Sequence, residues 1–504
     1  MYVWLGLWAI VAVVEALLYA FGSRYYRNSL YGRLLFAGIV GAGLVAVDIG
    51  MLIYDWRCWV LVILLSPYRI INLARFVKSR LQEHRLQSVS LRTHGWLLST
   101  QMMFFAICLV LLSVSGVSLL IILSFVQLVG VLVLLRASMR TWEHAKPISI
   151  ENHLTDRDLP SVSVLVPARD ETDELRACLD GLVANDYPKL EILVLDDCSI
   201  SKKTPEIIRS YAQAGVRFVK GEVPPENWIA KNYAYEQLRL EASGEYFVYC
   251  GVDTLFETKT IRTMVETMLD RQKEMMSVLP TRSPQGENVV SFLQTMRYYW
   301  ELCLPRRMFK RPPVLSTCWV VKSSLLEQLG GFKAVSQSVS PEAHFAKLAV
   351  ANDMYTFVRS HAELQVHSTK SLRDQYDTTV RLRYPQLHRR LELVAATTLF
   401  ELVFFVGPFL GLPLSLLLPH SSMFFAIWFA AVLVVEVMYY LISVQTKLNS
   451  PLVAFATAPF GFAADILMLH VSMLRYEFGT VNWKGRNICI PVMRVEPRLP
   501  KLPS

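Results

Sequence analysis

Apolar and polar positions fall in three blocks along the 504-residue chain. Residues 1–21 are almost wholly apolar, and further apolar runs cover about 34–54, 58–74 and 96–135. The last is long enough for two crossings and is broken by Ser-Val-Ser-Gly-Val-Ser at 113–118. From 136 to 392 the chain is mixed, charged and turn-rich, and apolar runs return at about 392–418, 423–444 and 452–474. A helix needs about 20 apolar residues to cross a ~30 Å hydrocarbon layer, and these runs have that length. The pattern predicts about five spans over 1–140, a linker at 141–160, a separate domain at 161–391, two spans plus a third or re-entrant segment over 392–474, and a basic tail at 475–504. The first run lacks a preceding basic residue and contains Glu15, so it reads as an uncleaved anchor rather than a secretory signal.

Within the middle block the period changes. Short β-rich runs at 162–167, 190–195, 216–220 and 246–250 are separated by helical stretches at about 172–183, 204–214 and 227–242. Such alternation predicts βαβ units and a parallel sheet. Ligands of these sheets sit beyond the carboxyl ends of the strands. Three predicted strands end in acids: Arg169-Asp170-Glu171 after the first, Asp196-Asp197 after the second and Asp253 after the fourth. One such acid alone equally suits a helix start or a turn. Three on one rim point to a site that grips a polar ligand.

Composition agrees with the membrane reading. The chain is 53% hydrophobic and 18% charged, against about 25% charged in ordinary soluble proteins. Gly 23, Pro 24 and Cys 8 exclude a collagen, a low-complexity chain and a disulfide scaffold. The balance 51 − 42 = +9 suits an anionic membrane surface, and no nucleic-acid partner is expected. Basic loops alternate with charge-poor ones, and Arg136, Arg140 and Lys146 follow the fifth run. By the positive-inside rule the middle domain faces the cytosol from a multi-pass plasma-membrane protein. Pro459, Gly461 and Asp465, followed by a basic tail, favour a re-entrant or interfacial last segment with the tail on the same side. The cysteines are scattered with no CxxC pair, so neither disulfides nor structural zinc are expected. Glu15, Asp48, Glu436 and Asp465 lie in apolar runs, where acids are costly; they would line a cavity or pair with a residue such as Arg69.

The strings VSVLVPARDE, LVLDDCS, ENWIAKNYA and GEYFVYCGVDT, with LLEQLGGF at 325–332, resemble the nucleotide-sugar half of family 2 glycosyltransferases. The tail NWKGR at 482–486 is similar to that of multi-span members such as ceramide-glucosyltransferase-like enzymes. The resemblance implies an α/β GT-A fold, Rossmann-like with a mostly parallel sheet, inserted between helical transmembrane bundles. It implies that Pro167, Ala168, Arg169 and Glu171 cradle the nucleoside, that Asp197 with Asp196 beside it reads the uracil, and that Lys231 neutralises the diphosphate. Asp253 corresponds to the last acid of the DxD metal motif, whose first acid is replaced by Gly251; Mg²⁺ or Mn²⁺ would be held by Asp253, with His361 or His367 as a further ligand. Glu342, preceded by Pro341, falls at the position of the catalytic base, with His344 as a fallback. Arg381 and Arg383 would clamp diphosphate near the family's QxxRW position, where Val380 stands for the Gln; both equally suit charge held against anionic lipid. The implied reaction is inverting transfer from a UDP-sugar to a membrane lipid at the cytoplasmic leaflet. A non-catalytic or partner-dependent relative that binds nucleotide-sugar stays open, as do the sugar, the lipid and the oligomeric state.

Overall fold

The computed structural model describes residues 30–54, 70, 116–147, 153–283, 290–303, 312–418, 421–478 and 480–489. The expected spans at 1–21 and 58–74, the first crossing within 96–135, Glu15 and Arg69 lie outside the described residues. The chain divides into two compact units. One comprises 1–123, 390–397 and 493–504, and the other 124–389 and 398–492. In the first, α1 (Leu30–Tyr54) is an apolar helix on which Asp48 is buried. Helix α2 (Gly116–His144) begins in the first unit and ends in the second.

The second unit carries the α/β domain. Its strands are β1 (Val162–Ala168), β2 (Leu190–Asp196), β3 (Val216–Lys220), β4 (Tyr246–Cys250), β5 (Thr254–Phe256), β6 (Met275–Leu279), β7 (Thr281–Arg282), β8 (Cys318–Lys322), β9 (Tyr355–Arg359) and β10 (Val366–Ser368). Between them lie α3 (Asp173–Val183), α4 (Lys203–Ser210), α5 (Ala230–Glu241), α6 (Thr260–Asp270), α7 (Phe292–Cys303), α8 (Ser323–Gln328) and α9 (Pro341–Ala351). The main sheet has the order β3-β2-β1-β4-β8-β6-β9, and β8 alone runs antiparallel to its neighbours. Strands β1 and β4 are buried on both faces, as the unbroken apolar runs required. Val164, Val166, Val194 and Val248 pack on one face against Leu175, Leu179 and Met264. Leu165, Leu193 and Tyr249 face the opposite way, towards Tyr235, Leu238 and Phe345. Tyr249 stacks on Trp319 at 4.3 Å between ring centroids. A smaller sheet, β5-β10-β7, lies beside the carboxyl end of β4.

Beyond the sheet come α10 (Leu372–Gln386), α11 (Leu391–Glu401), α12 (Gly407–Ser415), α13 (Ser421–Gln445) and α14 (Pro451–Phe478). A short π-helical turn, Leu402–Val406, joins α11 to α12. Among the described residues four stretches are long and apolar enough to cross a membrane: Leu120–His144, Leu391–Ser415, Ser422–Gln445 and Pro451–Phe478. Gln127 of α2 donates to the Val403 carbonyl at 2.8 Å and accepts from Trp428 Nε1 at 2.7 Å, tying α2 to the later helices. Gly130 leaves room for the Phe404 ring, which a β-carbon would meet at 2.1 Å.

Helix α14 continues through Pro459 as one helix of 28 residues. Both its ends are tied to the α/β domain. Asn449, just before it, accepts from the Ser291 amide at 2.9 Å, and Tyr476, near its end, donates to the Arg381 carbonyl at 2.8 Å. Ser472 donates to the Val380 carbonyl. The chain then turns back in a hairpin, β11 (Asn482–Trp483) and β12 (Arg486–Asn487). Lys484 (φ 47°) and Gly485 (φ 76°) both take the left-handed conformation at its tip, as a two-residue hairpin loop requires.

Candidate active site

A cleft of about 540 Å³ opens beyond the carboxyl ends of β1, β2 and β4. That volume is in the range of small-molecule sites. The first strand ends in it because β1 runs out at Ala168, and Pro167, Ala168, Arg169 and Glu171 all line the wall. Asp197 lines it from the end of β2, Lys231 from the first turn of α5, and Gly251 and Asp253 from the turn after β4. The opposite wall is α10, through Arg373, Asp374, Asp377 and Arg381. Trp483 and Lys484 of the terminal hairpin complete it.

On the β1–β2 side, Arg169 holds the corner together. Its Nη1 donates to the carbonyls of Asp197 and Cys198, both at 2.6 Å, and its Nε donates to the Lys484 carbonyl at 2.9 Å. Cys198 has φ 52° and Asp170 φ 51°, so both loops are sharply turned. Asp197 is 3% exposed. Its Oδ1 accepts from Arg486 Nη1 at 2.6 Å, while its buried Oδ2 has no protein partner. Burial pushes its carboxyl above the usual carboxylate range although Arg486 opposes this. Glu171 is likewise raised by burial, against the pull of Lys484 at 2.7 Å. Glu174 on α3 is raised to about 7 by burial and by the neighbouring charge of Glu171.

On the β4 side the register of the small sheet decides the chemistry. Strand β10 runs antiparallel to β5 with Ser368 opposite Thr254. Thr369 therefore passes Asp253, donating its amide to the Asp253 carbonyl at 3.0 Å. The next residue, Lys370, places its Nζ 3.3 Å from Asp253 Oδ2. Burial alone would raise the Asp253 carboxyl, but Lys370 and Lys231 outweigh it and hold it below the usual range. Lys231 is pushed down to about 8 by burial and by the Arg381 charge. Its Nζ lies 5.3 Å from the Tyr235 ring centroid. The Arg381 guanidinium lies 5.8 Å from the Trp483 ring. Among the described residues neither Lys231 nor Arg381 has an acid within ion-pair distance, so both charges face the cleft uncommitted.

Several expected residues lie elsewhere. Asp196 does not line the cleft; its Oδ1 accepts from the Ser199 amide at 3.2 Å and closes the turn after β2. Glu342 is buried in the first turn of α9 and does not line the cleft. Its charge still acts on Lys231 and Arg381. A small gap that includes Val339 shares Lys231, Ser316, Arg381 and Trp483 with the cleft. Arg383 is not a diphosphate clamp. It is buried in a pair of ion contacts, to Glu401 Oε1 at 2.8 Å and to Asp465, with its guanidinium 4.9 Å from the Trp300 ring. Helical geometry explains the correction: two residues advance about 200° around a helix, so Arg381 and Arg383 face opposite ways. Asp465 is thereby paired with Arg383. His344, His361 and His367 do not line the cleft; His367 Nδ1 is 2.8 Å from Thr281 Oγ1, and His361 Nε2 is 3.9 Å from Glu363.

Lys370, Asp374, Asp377, Trp483 and Lys484 escaped the sequence reading as site residues. The α10 set carried a signal, because 374, 377 and 381 share one face at helical spacing. Lys370 carried none, and the NWKGR string marked the hairpin without a site role, since only strand register and chain reversal bring them in.

The donor set does not fit a resident divalent cation. Among the described residues no three His, Cys, Asp or Glu side chains come together as a metal site. Asp253 is the one carboxylate left of the expected motif, and an ammonium already stands against it. A β-carbon at Gly251 would lie 2.4 Å from Asp253 Oδ1, so an acid there would require the Asp253 carboxylate to shift.

A mostly parallel sheet with a polar cleft at its carboxyl rim, closed by α10 and flanked by apolar helices, is an α/β GT-A domain joined to membrane-type helices. Residues 163–330 match the family model for glycosyl transferase family 2, so this domain is similar to that family. It is 27% identical over 185 residues to the probable glycosyltransferase YdaM of Bacillus subtilis (strain 168). That alignment covers 35% of this chain and 44% of the relative, so the chain spans less than half of the length of the protein it matches. Among solved structures, the mannosyltransferase PcManGT from Pyrobaculum calidifontis, in complex with GDP-Man and Mn²⁺, is 18% identical with a TM-score of 0.44, covering 71% of this chain and 97% of that one. Glucosyl-3-phosphoglycerate synthase from Mycobacterium tuberculosis, in complex with Mn²⁺ and UDP-glucose, is 15% identical with a TM-score of 0.30, covering 48% and 86%.

Proposed function

We propose that the protein is a membrane-embedded inverting glycosyltransferase that moves a hexose from a UDP-sugar to a lipid hydroxyl at the cytoplasmic leaflet, in the manner of ceramide-glucosyltransferase-like enzymes. The observation that carries this reading is the carboxylate of Asp197. It is buried at the cleft corner with Oδ1 pinned by Arg486 and Oδ2 left without a protein partner. A buried acceptor without a donor is costly, and the N3–H of a uracil supplies one. Arg169 and Glu171 shape the corner around the nucleoside. Lys231 and Arg381 then face the diphosphate across the cleft. The lipid acceptor is supported by α10, which walls the cleft and is bonded through Val380 and Arg381 to the apolar helix α14. With both its ends bonded to the α/β domain, α14 reads as lying along the membrane surface, which brings a headgroup beside the cleft.

In the reaction the acceptor oxygen bonds to the sugar C1 as the C1–oxygen bond to the β-phosphate breaks. The bonding pair leaves with UDP, whose added charge Lys231 and Arg381 stabilise. The acceptor proton passes to a carboxylate. Glu342, whose charge acts on Lys231 and Arg381, takes that role in this reading. The test uses full-length protein in lipid bilayers with radiolabelled UDP-sugars, GDP-sugars and a total lipid extract. A labelled lipid formed from a UDP-sugar with stoichiometric UDP release is expected. Equal use of GDP-sugars would overturn the uracil assignment, and unchanged turnover in Glu342→Gln would overturn the base.

Gly251 and the occupied Asp253 favour a second reading, nucleotide-sugar binding without turnover. It predicts UDP binding with no labelled product from any lipid.

A further inference from the structure

Resting on the glycosyl-transfer reading above, we infer that Lys370 stands where a metal-dependent relative would carry its divalent cation, and that this domain handles the sugar diphosphate without a metal, through Lys370, Lys231 and Arg381. The argument begins with charge. Two carboxylates and a divalent cation sum to zero, as do one carboxylate and one ammonium. Replacing the first acid by Gly251 and setting Lys370 at 3.3 Å from Asp253 therefore leaves the local balance unchanged. The swap is built into the backbone. The pairing of β10 with β5, and the two bonds that Thr369 donates to the Asp253 carbonyl at 3.0 and 3.3 Å, fix where Lys370 enters the cleft. A β-carbon at 251 would meet Asp253 Oδ1 at 2.4 Å, so an acid there would require the Asp253 carboxylate to turn from its present place beside Lys370. An ion entering this site would meet an ammonium already facing the one acid.

The diphosphate then needs cations that are not already spent. Lys231 and Arg381 line the same cleft as Lys370 and have no acid partner among the described residues. Each is half-buried beside an aromatic ring, Tyr235 and Trp483 respectively, which holds it in place without neutralising it. Asp253 in this arrangement is a positioning residue: it orients the Lys370 ammonium towards the phosphates.

The test is UDP binding by the full-length protein in detergent, measured by calorimetry in EDTA and again with added Mn²⁺, with Mn²⁺ binding followed separately by electron paramagnetic resonance. Affinity is expected to agree within about twofold in the two buffers, and Lys370→Ala is expected to weaken it about tenfold or more in EDTA. Lys370→Arg should recover most of that loss, which separates charge from folding. Gly251→Asp combined with Lys370→Ala is expected to bind Mn²⁺ and to need it for UDP. UDP binding by the unaltered protein that appears only with Mn²⁺ would overturn the inference and leave the glycosyl-transfer reading intact. Absence of UDP binding in both buffers would overturn both.

Discussion

Helix α10 supplies an arginine to each of two charge clusters, and the two clusters are opposites. Arg381 faces the cleft, where among the described residues it meets an aromatic ring and no acid. Arg383 faces away, between Glu401 and Asp465, with Trp300 Nε1 also donating to Asp465 Oδ2 at 2.5 Å. The first cluster keeps positive charge in reserve, which a bound anion can use. The second spends its charge internally and locks α10 to α11, α14 and α7. A buried pair of this kind is costly to break, because the partner left behind has no water to turn to. Proximity in sequence thus says nothing about role here; the direction in which each side chain leaves the helix decides it.

The comparison can be broken from either side. The largest effect is expected for Arg383→Ala, which strands two acids and should lower stability by about 3–5 kcal/mol, read as a large fall in melting temperature in detergent. UDP affinity of the protein that remains folded should stay near its starting value; a parallel loss of affinity would place Arg383 in the site after all. Arg381→Ala should do the reverse: a loss of UDP affinity of about tenfold to a hundredfold, corresponding to about 1.4–2.8 kcal/mol, with the melting temperature little changed. Arg486→Ala frees the pinned Asp197 oxygen and should weaken uridine binding by about 1–2 kcal/mol while diphosphate alone binds as before. Competition between UDP and pyrophosphate measures that difference.

The pH prediction is the gentlest. Lys231 is held down to about 8 by burial and the Arg381 charge, from an ordinary value of 10.5. Between those values the folded protein has given up this proton while the unfolded chain still holds it. Stability from this group therefore rises with pH across the window. UDP affinity moves the opposite way, because the phosphates need the charged form. The rise in melting temperature caused by UDP should be larger at about pH 7 than at about pH 9. A shift that is flat across this range would remove Lys231 from the diphosphate site.

Much of this was readable before any coordinates. The apolar strand runs at 162–167, 190–195, 216–220 and 246–250 are observed as β1–β4, at nearly the same bounds. The apolar runs at 162–167 and 246–250 suit strands buried on both faces, as β1 and β4 are. The acids that end them reach a common rim because parallel strands end on the same side, and so Asp197 and Asp253 share one cleft. Other assignments failed for local reasons. Asp196 immediately precedes Asp197, and alternation along an extended chain sends the two side chains apart. The family pattern groups Arg383 with Arg381, whereas helical period sets them on opposite faces. Lys370 has no local mark at all, and the NWKGR string marks Trp483 and Lys484 without placing them at the cleft.

What the chain determined by its own order is the set of elements and the rim where a ligand binds: period, apolar length and the acid at each strand end are local, and local rules read them. Which charges stay available there was decided only in three dimensions. Strand β10 had to pair with β5 in one register before Lys370 could face Asp253, and the chain had to return through α14 before Arg486 could pin Asp197. Such pairings join residues more than a hundred positions apart. Coulomb energy depends on separation in space and on burial, neither of which the order of residues carries by itself.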